Sequence, residues 1–522
     1  MTSPSSAMPD NDLRRRLERL LPLILMVAVL LAAILSITPW PVGAYEDDAI
    51  YTLLAKALAT GEGYRMINLP GSPHATHYPP GYPFLLSLLW RVSPEFPDNV
   101  VLFKFANAVL LAVASGGMYW FARARLDLGA VGAAVVAAFG TASITMLQLA
   151  GLVLSEPLFV ALLFAALIAI ERCVDGGNVR LALLAGALLG AMTMVRTIGI
   201  VAIAGAVLVL LLRRRLMATI AVVAAAALFL VPWQLWIHAY GSEVPSILMG
   251  KYGSYSTWLA DGYKAGGLAF GRDVVIYNLY GVANTLSYAV MPLGITWVRI
   301  LSLAVLVPTV IAGLVVLARR APVFVAFFAG YLALIIIWPF DPYRFLIAFW
   351  PVLVLVIAAA IRAAWQWRPT GRAWPVLRAS ALGAGVLLMA GHVGYNWRER
   401  QSWTDLQRRA GLSAKPLVEW VATNTRPGDV LSTEHDVVVY LYTGRRGVPI
   451  STFLPSQRVK PFSPSDNVRW IEAMITTFEP RFVITGWPAH MAAADVIAGG
   501  TKPALRKLGF IPNHAVYERL AP

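Results

Sequence analysis

The sequence predicts an all-α polytopic membrane bundle of about 11 transmembrane helices with a small C-terminal extracytoplasmic α/β domain. Three observations predict it. Of 522 residues, 58% are hydrophobic and 14% charged, where ordinary globular chains carry roughly 45–50% and about 25%. The apolar residues gather into separate runs, each close to the ~20 residues that cross a bilayer as a helix. Residues 396–522 break that pattern and alternate short strand-like and helix-like stretches. A mean hydropathy of +0.65 excludes a soluble enzyme and a disordered chain, and the continuous runs are unlike the alternation of an outer-membrane barrel. The single cysteine, Cys173, excludes internal disulfides and a four-thiolate metal site.

The N-terminal segment carries Arg14, Arg15, Arg16 and Arg19 just before an apolar run at 20–38. The run is long and no small-residue cleavage pattern precedes Trp40, so it reads as an uncleaved first span. Further runs follow at 100–121, 129–149, 156–172, 180–195, 197–212, 217–237, 296–317, 321–338, 344–362 and 376–395. With the N-terminus cytoplasmic, the inner connections carry Arg123 and Arg125, then Arg172 and Arg180, then Arg213, Arg214 and Arg215. Arg319 and Arg320 follow, then Arg362, Arg368 and Arg372. Every inner connection has at least two arginines, as the positive-inside rule requires. Topology thus accounts for most of the excess of 43 Lys and Arg over 28 Asp and Glu, and no basic domain is left to bind nucleic acid.

Three polar segments, 39–99, 238–295 and 396–522, then all fall on the outer side. The chain divides into a transmembrane domain over 1–395, including loop 39–99 with interfacial helices and segment 238–295, and a soluble domain over 396–522. In the latter, "VLST" and "RFVITG" read as strands, "DVVVYLYTGRR" as helix or strand, and 488–500 as a helix. No GxGxxG occurs there, so no nucleotide site is indicated.

The first outer loop begins "PVGAYEDDAIYTLLAKALATGEGY", with Glu46, Asp47 and Asp48 ahead of a helix from 48 to 60. Acids are stabilised by the free N–H groups of a first turn, but capping explains one acid rather than three. Asp47 is a candidate base and Asp48 a second. Downstream, "GSPHATHYPPGYPFLLSLLW" supplies His74 and His77 for substrate hydrogen bonds, and Tyr78 and Tyr82 for an interface belt or a sugar ring. Glu156 opens "SEPLFVALLFAALIAI" at the outer membrane edge, where an ionisable group is costly unless paired or used. Arg196 breaks the cytoplasmic bias of the other arginines, and its planar fork suits a phosphate. Arg344 repeats the exception in "IIIWPFDPYRFLIAFWP", beside Asp341 and Tyr343. Lys251, Tyr252 and Lys264 lie in the outer segment. Arg196, Arg344, Lys251 and Tyr343 form the candidate donor-phosphate set. Acids, phosphate-binding groups and apolar grooves on one face suit group transfer from a lipid-linked phosphate: a base activates an acceptor hydroxyl while cations stabilise the departing phosphate.

The segments "EDDAIYTLLAKAL", "HYPPGYPFLLSLLW", "LSEPLF", "MVRTIG" and "DPYRFLIAFWP", in this order over about 45–350, resemble the GT-C superfamily of polyprenyl-phosphate-sugar-dependent glycosyltransferases. The likeness is to bacterial aminoarabinose transferase and protein O-mannosyltransferase types. It implies inverting sugar transfer, from a polyprenyl-phosphate donor to an envelope glycan, lipid or protein, at the outer face of the bacterial cytoplasmic membrane. Asp47 matches the family's first-loop acid, and Glu156 its second acid, where many relatives have Asp. Arg196 and Arg344 fall at basic positions near the donor phosphate. Some relatives use a divalent ion; Mg or Mn would here draw on Asp47, Glu156 and His77. His77 stands near a position where the aminoarabinose enzymes carry Lys. The resemblance fixes neither sugar nor acceptor. The alternatives are a lipid-linked glycan ligase and a transporter or flippase. Transport distributes polar groups near the midplane, whereas this sequence places them at outer helix ends and leaves its spans nearly free of charge.

Overall fold

Apolar helix after apolar helix, interrupted on one side by polar excursions, builds the computed structural model. It describes residues 9–38, 42–291, 295–366 and 374–520, the side chains at 9–17 and across much of 374–406 excepted. Trp40, Arg368 and Arg372 lie outside the described residues, as do the side chains of Arg14, Arg15 and Arg16.

The first half of the chain forms α1 (Pro9–Ile34), α2 (Glu46–Ala59), α3 (Gly81–Val92), α4 (Val100–Arg125), α5 (Ala130–Thr141), α6 (Ile144–Ala150), α7 (Glu156–Gly176), α8 (Val179–Val195), α9 (Ile200–Leu212) and α10 (Leu216–Tyr240). The second half of the bundle adds α11 (Met249–Tyr252), α12 (Tyr255–Val290), α13 (Thr296–Arg320), α14 (Pro322–Ile337), α15 (Tyr343–Ala348), α16 (Trp350–Gln366) and α17 (Trp374–Asn424). Helix ends follow local chemistry. Three acids fill the first turn of α2 and Lys56 its last, complementing the helix dipole. Pro157 starts α7, where its missing N–H costs nothing, and Gly177 at φ 66° ends it.

Among the described residues, α4, α7, α10 and α13 are long and apolar enough to cross a membrane, and α5 with α6 makes a fifth if the bent pair is one span. Helices α8, α9, α14 and α16 are apolar but shorter. The molecule is a multi-pass helical bundle, and these criteria do not by themselves give eleven spans.

Three expected elements differ. The run 129–149 bends by 60° between α5 and α6, where Ser143 starts a new helix by accepting from the Met146 N–H. The run 344–362 breaks at Phe349 into α15 and α16, because Pro351 cannot donate to the preceding turn. Segment 238–295 is mostly helical, with α12 kinked at Gly267 (φ 59°, ψ −154°).

The spans are also not free of buried charge. Lys104 in α4 donates to the Thr38 carbonyl at 3.0 Å. Glu171 in α7 accepts from the Phe324 N–H at 2.9 Å, satisfying an orphan donor in the first turn of α14. Both side chains are buried, so they serve packing between elements.

The C-terminal part adds β1 (Val430–Thr433), α18 (Asp436–Thr443), β2 (Arg446–Val448), α19 (Pro464–Phe478), β3 (Phe482–Thr485), α20 (Pro488–Ala498), β4 (Leu505–Ile511) and β5 (His514–Arg519). The "DVVVYLYT" stretch is thus a helix. The sheet runs β2-β1-β3-β5-β4. Strand β1 is parallel to β2 and β3, with Ser432 opposite Val448 and Val483, while β5 is antiparallel to β3 and β4. One face packs Val483 and Tyr517 on Ile471 of α19 and Ala494 of α20. The other packs Leu431, Ile484 and Val516 on Val439 of α18 and on Leu417 and Val421 of α17. A single helix, α17, therefore runs from the bundle into the core of the small domain.

Candidate active site

The site begins at the turn before α2. Asp48 is buried, and its carboxylate accepts from the N–H groups of Gly43 (3.0 Å), Ala44 (3.2 Å) and Ala49 (2.8 Å). Gly43 adopts φ 105°, the left-handed region that favours glycine. Burial outweighs those N–H groups and pushes the Asp48 carboxyl up to about 7. With Asp48 turned inward to fold the loop, its neighbour Asp47 is presented outward.

Asp47 meets two groups that the sequence places far away. Its Oδ1 accepts from the Tyr78 hydroxyl at 2.7 Å, and its Oδ2 pairs with Arg344 Nη1 at 2.6 Å. Arg344 reaches on to Glu156 Oε1 through Nε and Nη2, both at 3.2 Å. The same Glu156 oxygen pairs with Arg196 Nη1 at 2.8 Å, and Arg196 also donates to Ser155 Oγ at 3.2 Å. Burial works to raise the Asp47 carboxyl, but the Arg344 guanidinium and the Tyr78 hydroxyl outweigh it and hold the acid below the usual carboxylate range.

Each arginine is delivered by a break in a helix. Arg196 caps α8 in extended conformation, φ −145° and ψ 124°, and Arg344 sits in the short α15 after Pro342. The start of α3 is wedged against the end of α8: a Cβ at Gly81 would come within 2.7 Å of the Met194 carbonyl oxygen, so only glycine fits this close approach.

Above this cluster lies a cavity of about 810 Å³ between the outer end of the bundle and the small domain. Asp47, Arg196 and Arg344 line it, with His77, Tyr78 and Lys251. Glu156 is fully buried beneath the two arginines. His77 Nδ1 lies 2.5 Å from the Gly253 carbonyl, which assigns the ring proton to Nδ1 and leaves Nε2 an acceptor. Burial lowers the pKa of this ring, against the opposing pull of the Gly253 carbonyl and Asp47. Lys251 pairs with Glu46 and, at 2.9 Å, with Asp436 of the small domain. Asp436 also accepts from the Tyr252 hydroxyl at 2.6 Å and the Asn68 amide at 3.0 Å. Although burial opposes it, the two carboxylates raise the Lys251 ammonium well above its ordinary value.

No family model matches the chain, and no curated protein matches it. Among solved structures, ArnT from Cupriavidus metallidurans aligns with it both in the apo state and bound to undecaprenyl phosphate. Each alignment has a TM-score of 0.57 and 14% identity and covers 96% of this chain and 98% of that one. The chain shares the fold of ArnT. A looser match, TM-score 0.48 at 16% identity, is to the arabinofuranosyltransferase AftD from Mycobacteria, covering 96% of this chain and 40% of that one. The ArnT likeness bears out the expected fold, a helical membrane bundle with a small C-terminal domain.

Within this ArnT-like frame, four residues grouped by sequence stand elsewhere. Asp48 is taken up by backbone N–H groups, as above. His74 pairs with Glu243 at 2.7 Å and stacks on Tyr240. Tyr82 is buried against Tyr51 and bonds Asn107 at 3.2 Å. Tyr343 is exposed, its N–H donating to Asp341. Of the three residues named for a divalent ion, Asp47 and Glu156 hold guanidinium groups and His77 Nδ1 faces the Gly253 carbonyl. Among the described residues no group of three His, Cys, Asp or Glu is placed to hold an ion.

Sequence reasoning missed the far wall of the cavity, where Glu434, His435, Ser451, Trp487 and His490 come from the small domain. The "EHD" run directly after the β1 strand was the available signal. Burial opposes ionisation of Glu434, but hydrogen bonds from His490 and Thr485 hold its carboxyl below the usual range.

Proposed function

We propose that this protein is a GT-C glycosyltransferase that moves a sugar from a polyprenyl-phosphate donor to an envelope acceptor, at the outer face of the bacterial cytoplasmic membrane. One observation carries the reading: Arg344 is shared between Asp47 and Glu156 on a cavity wall that also holds Arg196. Arg344 Nη2 lies 3.2 Å from Glu156 Oε1 as an ion pair without hydrogen-bond geometry, so among the described residues this nitrogen retains donor capacity for an anion.

In this mechanism the acceptor hydroxyl attacks the anomeric carbon from the side opposite the phosphate. The new C–O bond forms as the C–O bond to phosphate breaks, and the polyprenyl phosphate leaves with the electron pair. The acceptor proton passes to the Asp47 carboxylate, and the anomeric centre inverts. Arg344 and Arg196 balance the charge that develops on the phosphate. The two roles of Arg344 are coupled. A donor phosphate that draws its guanidinium away from Asp47 removes the charge that depresses this carboxyl, so donor binding raises the basicity of the group that takes the proton. The ArnT structure with undecaprenyl phosphate supports a polyprenyl phosphate as the lipid to test first.

The test is a screen of polyprenyl-phosphate sugars with purified protein and mass detection of products, with and without chelator. Asp47→Asn should lower turnover about 10²–10⁴-fold while donor binding persists. Full turnover by that variant would sink Asp47 as the base. Chelation should leave turnover unchanged, because two arginines already meet the phosphate.

A further inference from the structure

The small domain carries a binding crevice of its own. Strands β2, β1 and β3 are parallel and adjacent, so their carboxyl ends lie side by side. The chain leaves β1 through α18 to reach β2, then returns through α19 past β1 to β3 on its other side. Helices α18 and α19 pack on opposite faces of the sheet. The strand order therefore reverses between β1 and β3, and ligands of open α/β sheets bind beyond the carboxyl ends at such a switch point. The loops leaving all three strands line the cavity: Ser451 follows β2, Glu434 and His435 follow β1, and Trp487 and His490 follow β3.

Glu434 bridges the crevice. Its carboxylate accepts from Thr485 Oγ1 at 2.5 Å, the Gly486 N–H at 3.3 Å, the Trp487 N–H at 3.4 Å and His490 Nδ1 at 2.9 Å. This fixes the proton on Nδ1 and makes Nε2, 3.3 Å from Ser451 Oγ, the acceptor side of the ring. Trp487 stacks on the His490 ring at 5.3 Å and 16°, yet is 57% exposed. The cavity is thus chemically divided. Its bundle wall offers guanidinium groups to an anion. Its domain wall offers an imidazole nitrogen, a hydroxyl and an indole face, with no lysine or arginine among its lining residues, while its two carboxylates, Glu434 and Asp436, are taken up by protein donors.

We infer that this crevice is the acceptor subsite and that it takes an uncharged, hydroxyl-rich sugar, the terminal unit of a glycan. Hydroxyls of the sugar meet His490 Nε2 and Ser451, and its apolar ring face lies on Trp487. Glu434 is a positioning residue, acting through His490. The inference rests on the glycosyltransferase reading and specifies its acceptor.

The test uses the full chain in lipid nanodiscs with two kinds of probe. Methyl glycosides of neutral hexoses and pentoses are compared with a methyl glucuronide by saturation-transfer NMR, and undecaprenyl phosphate binding is measured on the same samples. A neutral glycoside should bind in preference to the glucuronide. His490→Gln and Trp487→Ala should each weaken that binding at least tenfold and leave undecaprenyl phosphate affinity unchanged. Glu434→Ala should weaken glycoside binding as His490→Gln does, and Glu434→Gln, which keeps an acceptor oxygen for His490 Nδ1, should restore it, a rescue that a merely structural role would not produce. Preference for the glucuronide, indifference to both variants, or no glycoside binding beside intact undecaprenyl phosphate binding each overturns the subsite alone. Failure to bind undecaprenyl phosphate overturns the glycosyltransferase reading and the subsite with it.

Discussion

The two walls of the cavity are built on opposite principles. On the bundle side, two acids and two arginines neutralise one another beneath a low-dielectric surface. On the domain side, two buried carboxylates, Glu434 and Asp436, are taken up by backbone and side-chain donors, and a hydroxyl, an imidazole and an indole face the cavity. The first wall is stable only as a set, since each charge depends on its partner. The second is organised by strand ends and tolerates loss of a single exposed group. The lesson is that two chemistries can share one cavity when the charges of each wall are compensated, the Asp47–Arg344–Glu156–Arg196 set within the bundle and Lys251 with Asp436 across the seam.

The largest effect is expected where the bundle wall is most interdependent. Glu156→Ala leaves Arg196 and Arg344 buried together without their common anion, and losing one member of a buried pair costs about 3–5 kcal/mol. Thermal unfolding of the purified variant should show this, or folded protein should be lost altogether; unchanged stability would break the contrast between the walls. Arg344→Lys keeps the charge but not the fork. With charge-assisted hydrogen bonds worth about 1.5–3 kcal/mol, undecaprenyl phosphate affinity should fall roughly ten- to hundredfold, and an unaltered affinity would remove Arg344 from phosphate binding.

Lys251→Met tests the clasp that joins the walls. Asp436 keeps Tyr252 and Asn68, so a moderate loss of about 1–3 kcal/mol is expected, and protease sensitivity of the small domain should rise. Unchanged protease sensitivity would mean that the other contacts suffice.

The smallest effect concerns Asp48. Burial raises its folded pKa to about 7, so the stability it contributes is complete below an ordinary aspartate pKa of about 3.9 and is lost as pH rises through about 7. The melting temperature should therefore decline between pH 6 and 8 by more than in Asp48→Asn. Equal slopes would show that the carboxyl is already ionised.

The bundle wall was legible in the sequence because each member breaks a positional rule. Arg196 and Arg344 sit on the side that arginines avoid, Glu156 lies at membrane depth, and Asp47 is one acid more than a cap explains. The domain wall was not legible, because Glu434, Ser451 and His490 are ordinary polar residues until a parallel sheet aligns the three loops that carry them. Helix breaks at Ser143 and Phe349 were hidden for a similar reason: hydropathy reports an apolar run, and the bend within it depends on one capping hydroxyl or one missing N–H. Lys104 and Glu171 were passed over because single charges within apolar runs barely alter a hydropathy average.

Helix α17 has a consequence for scale. At about 1.5 Å per residue, its 51 residues extend about 76 Å, more than twice the ~30 Å hydrocarbon core. It is pinned near its middle, where Gln407 bonds Thr38 and Arg400 donates to the Leu35 carbonyl, and its far end is buried under the sheet. It works as a gauge rod: the distance between lipid and sheet is written into a residue count.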